Sequence, residues 1–311
     1  MSNPAVLQDV ATKPGITRDV ASAIELRGGA RAPSWGTGLI YSWRRKLRTP
    51  TPYLMVLGIG LWLLCYYLFT EGWQLPRFRK LPGPVEVVTE FFSPNPTWGI
   101  SLYTEQYYEN VIASCLRIAI AFTIATAVGV PLGLFMGWSE KFKDYTFPIL
   151  ELVRPIPILA WVPLAIMMFA SYEASVIFLA TLASLYVTVL NTLLGVESID
   201  QSYFRAARCL GAKPRRIFWD VVIPGAMPFI FTGLQISVAV AWFSLVAAEM
   251  VSGQYGLGYM ILNSYVNVTY VSMVIGMITL GFIGWGSSAL VRWTGNRMMQ
   301  WRVRTLALEG R

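Results

Sequence analysis

The sequence predicts an all-α membrane protein with six transmembrane helices. Three observations predict it. Of the 311 residues, 55% are hydrophobic and only 14% charged, and the apolar ones gather in runs near the ~20 residues that cross a ~30 Å hydrocarbon core. Most of the 25 Lys and Arg lie outside those runs, at their flanks. Between two of the runs stands a polar, basic elbow, Tyr203–Pro228, for which packing inside a bilayer gives no reason.

Residues 1–50 are polar and end in the cluster Arg44, Arg45, Lys46, Arg48. No apolar stretch precedes them, so they read as a largely disordered tail with a short surface helix near Leu39–Lys46, not a cleaved signal peptide. The membrane domain then occupies residues 51–297. Its first span is Pro52–Phe69, followed by an amphipathic loop, Thr70–Glu109, in which Leu81–Phe92 reads as an interfacial helix. The second span is Asn110–Trp138. The third, Phe147–Ala170, is interrupted by Pro148, Pro155, Pro157 and Pro163; the fourth is Ser175–Val196. After the elbow, residues 200–224, come a fifth span at Gly225–Val251 and a sixth at Tyr270–Trp293, then a short tail, residues 298–311. The N-terminal tail, the loop Glu140–Asp144, the elbow and the segment from Arg292 hold 20 of the 25 cations. The opposite side clearly holds only Arg77, Arg79 and Lys80, so both termini and the elbow are assigned to the cytoplasm, which needs an even span count.

Composition removes several classes of function. There is no histidine, which excludes an imidazole base, a His-ligated metal or a Ser-His pair. Cys65, Cys115 and Cys209 are too scattered for a disulfide framework or a CxxC site. No GxxxxGK[ST] occurs, so the chain has no ATPase site of its own. The net charge of +8 reads as topological charge rather than a nucleic-acid surface.

Within the spans, Gly129, Gly133 and Gly137 recur every four residues and predict a helix-packing seam; Gly276, Gly281 and Gly284 suggest another. In Glu151–Trp161, three prolines near Arg154 break helical hydrogen bonding, which survives at membrane depth only inside protein or beside a water-filled cavity. Arg154, Pro155, Pro157 and Trp161 are therefore candidates for a pathway or its gate, with snorkelling or pairing to Glu151 as the structural reading of Arg154. Glu249 near the outer end of the fifth span marks either a polar cavity or a buried pair, and Arg117 is its candidate partner by sign and depth. The two read either as a structural ion pair or as translocation-pathway residues, Arg117 contacting an anionic substrate and Glu249 orienting it.

In the elbow, Tyr203, Ala206, Ala207 and Leu210 fall at i, i+3, i+4 and i+7, an apolar stripe with a tiny middle. Such a stripe lets a helix sit deep in a groove on another protein, with Arg205 and Arg208 on other faces. Gly211 suits the left-handed residue that ends a helix, and Pro214 the first turn of the next. The bland alternative is an amphipathic loop lying on the membrane.

Ala206-Ala207, three residues, Gly211, nine residues, then Val221-Val222-Ile223-Pro224 resembles the EAA signature of permease subunits of bacterial ABC importers. Arg205 stands where that signature has glutamate. The Arg-Pro-x-Pro core of Glu151–Leu164, Val246-Ala-Ala-Glu249 and Gly256-Leu-Gly258 look like the nitrate, sulfonate and taurine branch. The resemblance covers about Leu54–Arg297. It implies a type I ABC-importer permease fold in the bacterial inner membrane, working as a homodimer and carrying a small anion or zwitterion. A coupling helix, Ser202–Gly211, would dock on a cytosolic ATPase that binds ATP and Mg, and a periplasmic or lipid-anchored binding protein would deliver cargo. An ion-coupled secondary transporter of small organic anions is the alternative. It should show internal repeats and further carboxylates within spans, and it leaves the elbow unexplained.

Overall fold

The computed structural model describes residues 50–72, 81–252 and 254–299, and among them the regular structure is entirely helical. All but the last residue of the tail 1–50, the surface helix expected near Leu39–Lys46, the outer cations Arg77, Arg79 and Lys80, and most of the tail 298–311 lie outside the described residues. Two compact units divide the chain after Cys65. The first contributes most of helix α1, Pro50–Tyr67, apolar along its length and closing in a π-helical turn, Leu68–Gly72.

The second unit holds the rest. Helix α2, Pro84–Phe91, falls where the interfacial helix is expected, with Pro84 in its first turn. Helix α3 is Glu105–Trp138 and α6 is Tyr172–Glu197; between them lie α4, Glu140–Val153, and α5, Val162–Met168. The elbow is α7, Gln201–Cys209, and α8, Pro214–Ile217, the latter leading through a π-helical turn into α9, Ile223–Ser252. Helix α10, Leu257–Val266, was not anticipated; α11, Tyr270–Met298, closes the bundle.

Four helical stretches are long and apolar enough to cross a membrane: Glu105–Trp138, Tyr172–Glu197, Pro214–Val251 and Tyr270–Met298. The expected third span is not one rod. Helix α4 and the segment Ile158–Met168 meet at 89°, because Pro155 and Pro157 withhold backbone donors where the chain would continue helically. A count of six needs both α1 and this bent pair taken as spans.

Helix α6 lies at the centre, packed most extensively against α3 and α9. Its contact with α3 follows the glycine row. A Cβ on Gly133 would stand 2.6 Å from the Val189 carbonyl, and one on Gly137 2.5 Å from Val196 Cβ, so only glycine permits this approach. The α6–α9 contact adds buried hydroxyls: Thr188 Oγ1 bonds Ser237 Oγ at 3.0 Å, and Ser237 donates to the Ser184 carbonyl at 3.0 Å. With hydrocarbon outside, such small-residue contacts and interhelical hydrogen bonds hold the bundle in place of hydrophobic burial. Ile120, Ile124 and Val128 of α3 are correspondingly exposed. In the second glycine set, Gly276 packs against Met260 and Ile261 of α10. A Cβ on Gly281 would meet nothing within 4 Å, and one on Gly284 would only graze Trp242 at 4.0 Å. The seam expected there therefore reduces to one residue.

Candidate functional site

Two sites emerge, one at each end of α6. At its start, Arg117 of α3 is 2% exposed and Glu249 of α9 is 0% exposed, joined Nη1 to Oε1 at 2.6 Å. The Glu249 carboxylate also accepts from Ser114 Oγ (2.8 and 3.0 Å) and from the Gly258 backbone N–H at 2.9 Å. Ser114 Oγ in turn accepts from Leu257 N–H at 2.8 Å, and Asn110 Oδ1 from Gly256 N–H at 2.8 Å. These bonds tie the loop before α10 down onto α3. Gly256 makes the approach possible: its φ is +117°, and a Cβ there would lie 2.3 Å from the Glu249 carboxyl carbon.

A second carboxylate completes the knot. Glu173, in the first turn of α6, takes the other edge of the same guanidinium, with Nε to Oε2 at 2.6 Å and Nη2 to Oε1 at 2.5 Å. Arg117 Nη1 also donates to the Tyr255 carbonyl at 2.8 Å, and the Tyr172 ring lies 5.2 Å from the guanidinium carbon. The pairing of Arg117 with Glu249 follows the sequence expectation. Glu173 and the Tyr255 carbonyl were missed; an acid in the first turn of a helix looks like a response to the helix dipole, and nothing local distinguishes this one.

Arg154, Pro155 and Pro157 are exposed at the break between α4 and α5, and Trp161 is half-buried against the core. No hydrogen bond or ion pair among the described residues joins these four to Arg117 or Glu249, or joins Arg154 to Glu151. Arg154 instead lines a groove of about 480 Å3 with Lys143, Tyr186, Asn191 and Glu197. There Lys143 Nζ meets Glu197 at 2.5 Å, on an exposed surface.

At the other end of α6 the elbow is built as the sequence reads. Asp200 Oδ1 caps α7 by accepting from Ser202 N–H at 2.7 Å, which holds its carboxyl below the ordinary carboxylate range. Gly211, at φ +75°, ends the helix: its N–H reaches the Arg208 carbonyl at 2.9 Å, and Ala212 N–H reaches Ala207 at 3.0 Å. Pro214 opens α8 as expected. The elbow is anchored to the bundle through Phe204, and through Phe218, whose ring stacks on Phe135 of α3 at 5.9 Å.

Nothing in α7 is buried. Along the expected stripe, Tyr203 is 64% and Leu210 87% exposed, Ala206 is exposed and Ala207 half-buried. Arg205, Arg208 and Cys209 are exposed as well. Beside the helix runs a groove of about 490 Å3 between α7 and α8, lined by Ala207, Leu210, Gly211, Arg216 and Asp220 among others. Among the described residues nothing covers this apolar stripe, which stands on a helix capped at both ends.

The chain is a helical bundle with spans long and apolar enough to cross a membrane, a buried charge knot at one end of α6 and a helical elbow at the other, and similarity to known proteins gives its class as a membrane transport subunit. The chain belongs to the family of binding-protein-dependent transport system inner membrane components, whose pattern matches residues 129–300. It is 35% identical over 227 residues to the taurine transport system permease protein of Escherichia coli K12, covering 71% of this chain and 81% of that one. It is 32% identical over 248 residues to the nitrate import permease protein of Synechocystis, covering 79% and 87%. Its fold is shared with the inward-facing methionine ABC transporter, at a TM-score of 0.54 and 17% identity over 63% of this chain and 95% of that one. The chain is thus a multi-pass permease subunit of the ABC-importer family.

Proposed function

We propose that this chain forms the translocation pathway of an ATP-driven importer for a small anion or zwitterion, a sulfonate such as taurine first and nitrate or bicarbonate next. Two copies line the pathway. Each presents α7 to a cytosolic ATPase that carries the ATP and Mg, and a separate binding protein delivers cargo to the end of the bundle where Arg117 lies. Both termini and the elbow face the cytoplasm. The taurine and nitrate relatives support the cargo class.

One observation carries the reading: α7 is a well-capped helix, exposed on its apolar stripe and, among the described residues, anchored to the bundle at Phe204 and through the following turn. Force applied to it would pass into α6 and α9, the two helices it joins. A secondary transporter has no use for such a surface. Purification from native membranes in mild detergent, with co-purifying proteins identified by mass spectrometry, tests the proposal. The expected result is a Walker-motif ATPase in equal amount and nucleotide-dependent uptake after reconstitution; a chain that comes out alone and transports without ATP contradicts it.

A further inference from the structure

The Arg117 knot holds more negative charge than it needs. Glu249 alone neutralises the guanidinium, and it is held in place by Ser114 and the Gly258 N–H besides Arg117. Burying one cation with one carboxylate in full hydrogen-bonding geometry is the arrangement expected of a structural pair. Glu173 is a second carboxylate on the same cation, and it differs from the first in every respect. Its side chain is 51% exposed where that of Glu249 is 0% exposed. Among the described residues, Arg117 is its only hydrogen-bonding partner, and it engages the Nε/Nη2 edge through two parallel bonds. An edge of a guanidinium that presents two parallel N–H donors, as this one does, recognises planar and tetrahedral oxyanions bidentately.

From this asymmetry we propose that Glu173 is a built-in competitor for transported cargo: its carboxylate occupies the Arg117 fork when no anion is bound, and the oxyanion group of the cargo displaces it. This rests on the importer reading above. The exchange is charge-neutral, since one singly charged oxyanion replaces one carboxylate while Glu249 stays in place. The Arg117–Glu249 bond, the Tyr255 carbonyl and the Gly258 N–H need not move. The side chain that must move is the exposed one, at the first turn of α6, where rotation into water costs it little more than its two bonds. The Tyr172 ring beside the guanidinium, at 5.2 Å, keeps the fork oriented when the carboxylate leaves. Cargo that lacks an oxyanion cannot replace the pair of bonds, so Glu173 acts as a selectivity threshold as well as a plug.

The test uses the permease–ATPase complex in nanodiscs, wild type and Glu173→Gln, titrated with sodium methanesulfonate and separately with sodium nitrate. Sodium chloride at matched ionic strength serves as the monatomic control. The variant is expected to bind at least one of the two oxyanions tighter than wild type by on the order of tenfold, with no gain for chloride. Adding Arg117→Lys, which keeps the charge but loses the fork, is expected to cancel that gain. Glu173→Asp, one methylene shorter, is a second and milder variant expected to gain in the same direction. Equal oxyanion affinity in wild type and both Glu173 variants overturns the proposal, as does an equal gain for chloride. If the complex still couples ATP to uptake while affinity stays unchanged, this inference alone fails. If no ATPase accompanies the chain, the importer reading fails first.

Discussion

The two ends of α6 are constructed by opposite rules. About 36 Å of helix rise separates Glu173 from Glu197. At the first end, charged groups are buried and satisfied several times over, so that α3, α6, α9 and the loop before α10 are fixed to one another by Arg117 and Glu249. At the second end, α7 makes its backbone hydrogen bonds locally and leaves Tyr203, Ala206 and Leu210 uncovered. Buried charges in a membrane protein are costly unless paired, so the first end reports what the chain must hold still. An apolar stripe left bare on a pre-formed helix reports what the chain expects from outside.

The comparison makes graded predictions. Arg117→Ala should have the largest effect, because it strands the buried Glu249 carboxylate; breaking one side of a buried pair costs about 3–5 kcal/mol. The purified complex should lose most of its thermal stability in detergent. Glu249→Gln should be milder, since Glu173 still pairs with Arg117; equal losses in both would break the distinction drawn between the two carboxylates. Next, Gly133→Leu should cost about 1–3 kcal/mol by overpacking the α3–α6 seam, read as a lowered melting midpoint. Gly211→Val sharpens the contrast. Nothing lies within 4 Å of its Cβ direction, so the cost is the left-handed backbone alone, about 1–2 kcal/mol. The melting midpoint should fall by no more than in Gly133→Leu, while ATP hydrolysis and uptake come apart in proteoliposomes.

The smallest effect concerns the cap of α7. The Asp200 carboxyl is depressed by the Ser202 N–H, so its contribution is present above about pH 4 and lost as pH falls through its lowered folded value. Asp200→Asn retains the cap without the charge. Its elbow should therefore be insensitive to acid across that window, which hydrogen exchange of the α7 amides can follow.

Much of this was legible in the sequence, where the cause is local. Gly211 and Pro214 announce the elbow because only a few residue types tolerate a left-handed helix end or a first-turn position without an N–H. The Gly129–Gly137 row announces its seam by periodicity, and Arg117 with Glu249 by sign and depth. What depends on tertiary geometry was not legible. Glu173 is indistinguishable from an ordinary first-turn acid until α3 brings Arg117 beside it. Helix α10 is too short to stand out from the apolar stretch around it. Gly281 shares the spacing of a packing glycine yet faces open space, since periodicity says which residues share a face but not what the face meets. The prolines after Arg154 foretold a break, but its 89° angle depends on how the two halves pack.

The most direct test of the central claim uses a thiol already in place. Cys209 is exposed at the end of α7. With Cys65 and Cys115 changed to Ser, maleimide labelling of Cys209 in membranes can be compared with and without the co-expressed ATPase. Docking of the elbow predicts rapid labelling in the lone permease and protection in the complex; equal labelling in both would contradict the assignment of α7 as the coupling surface.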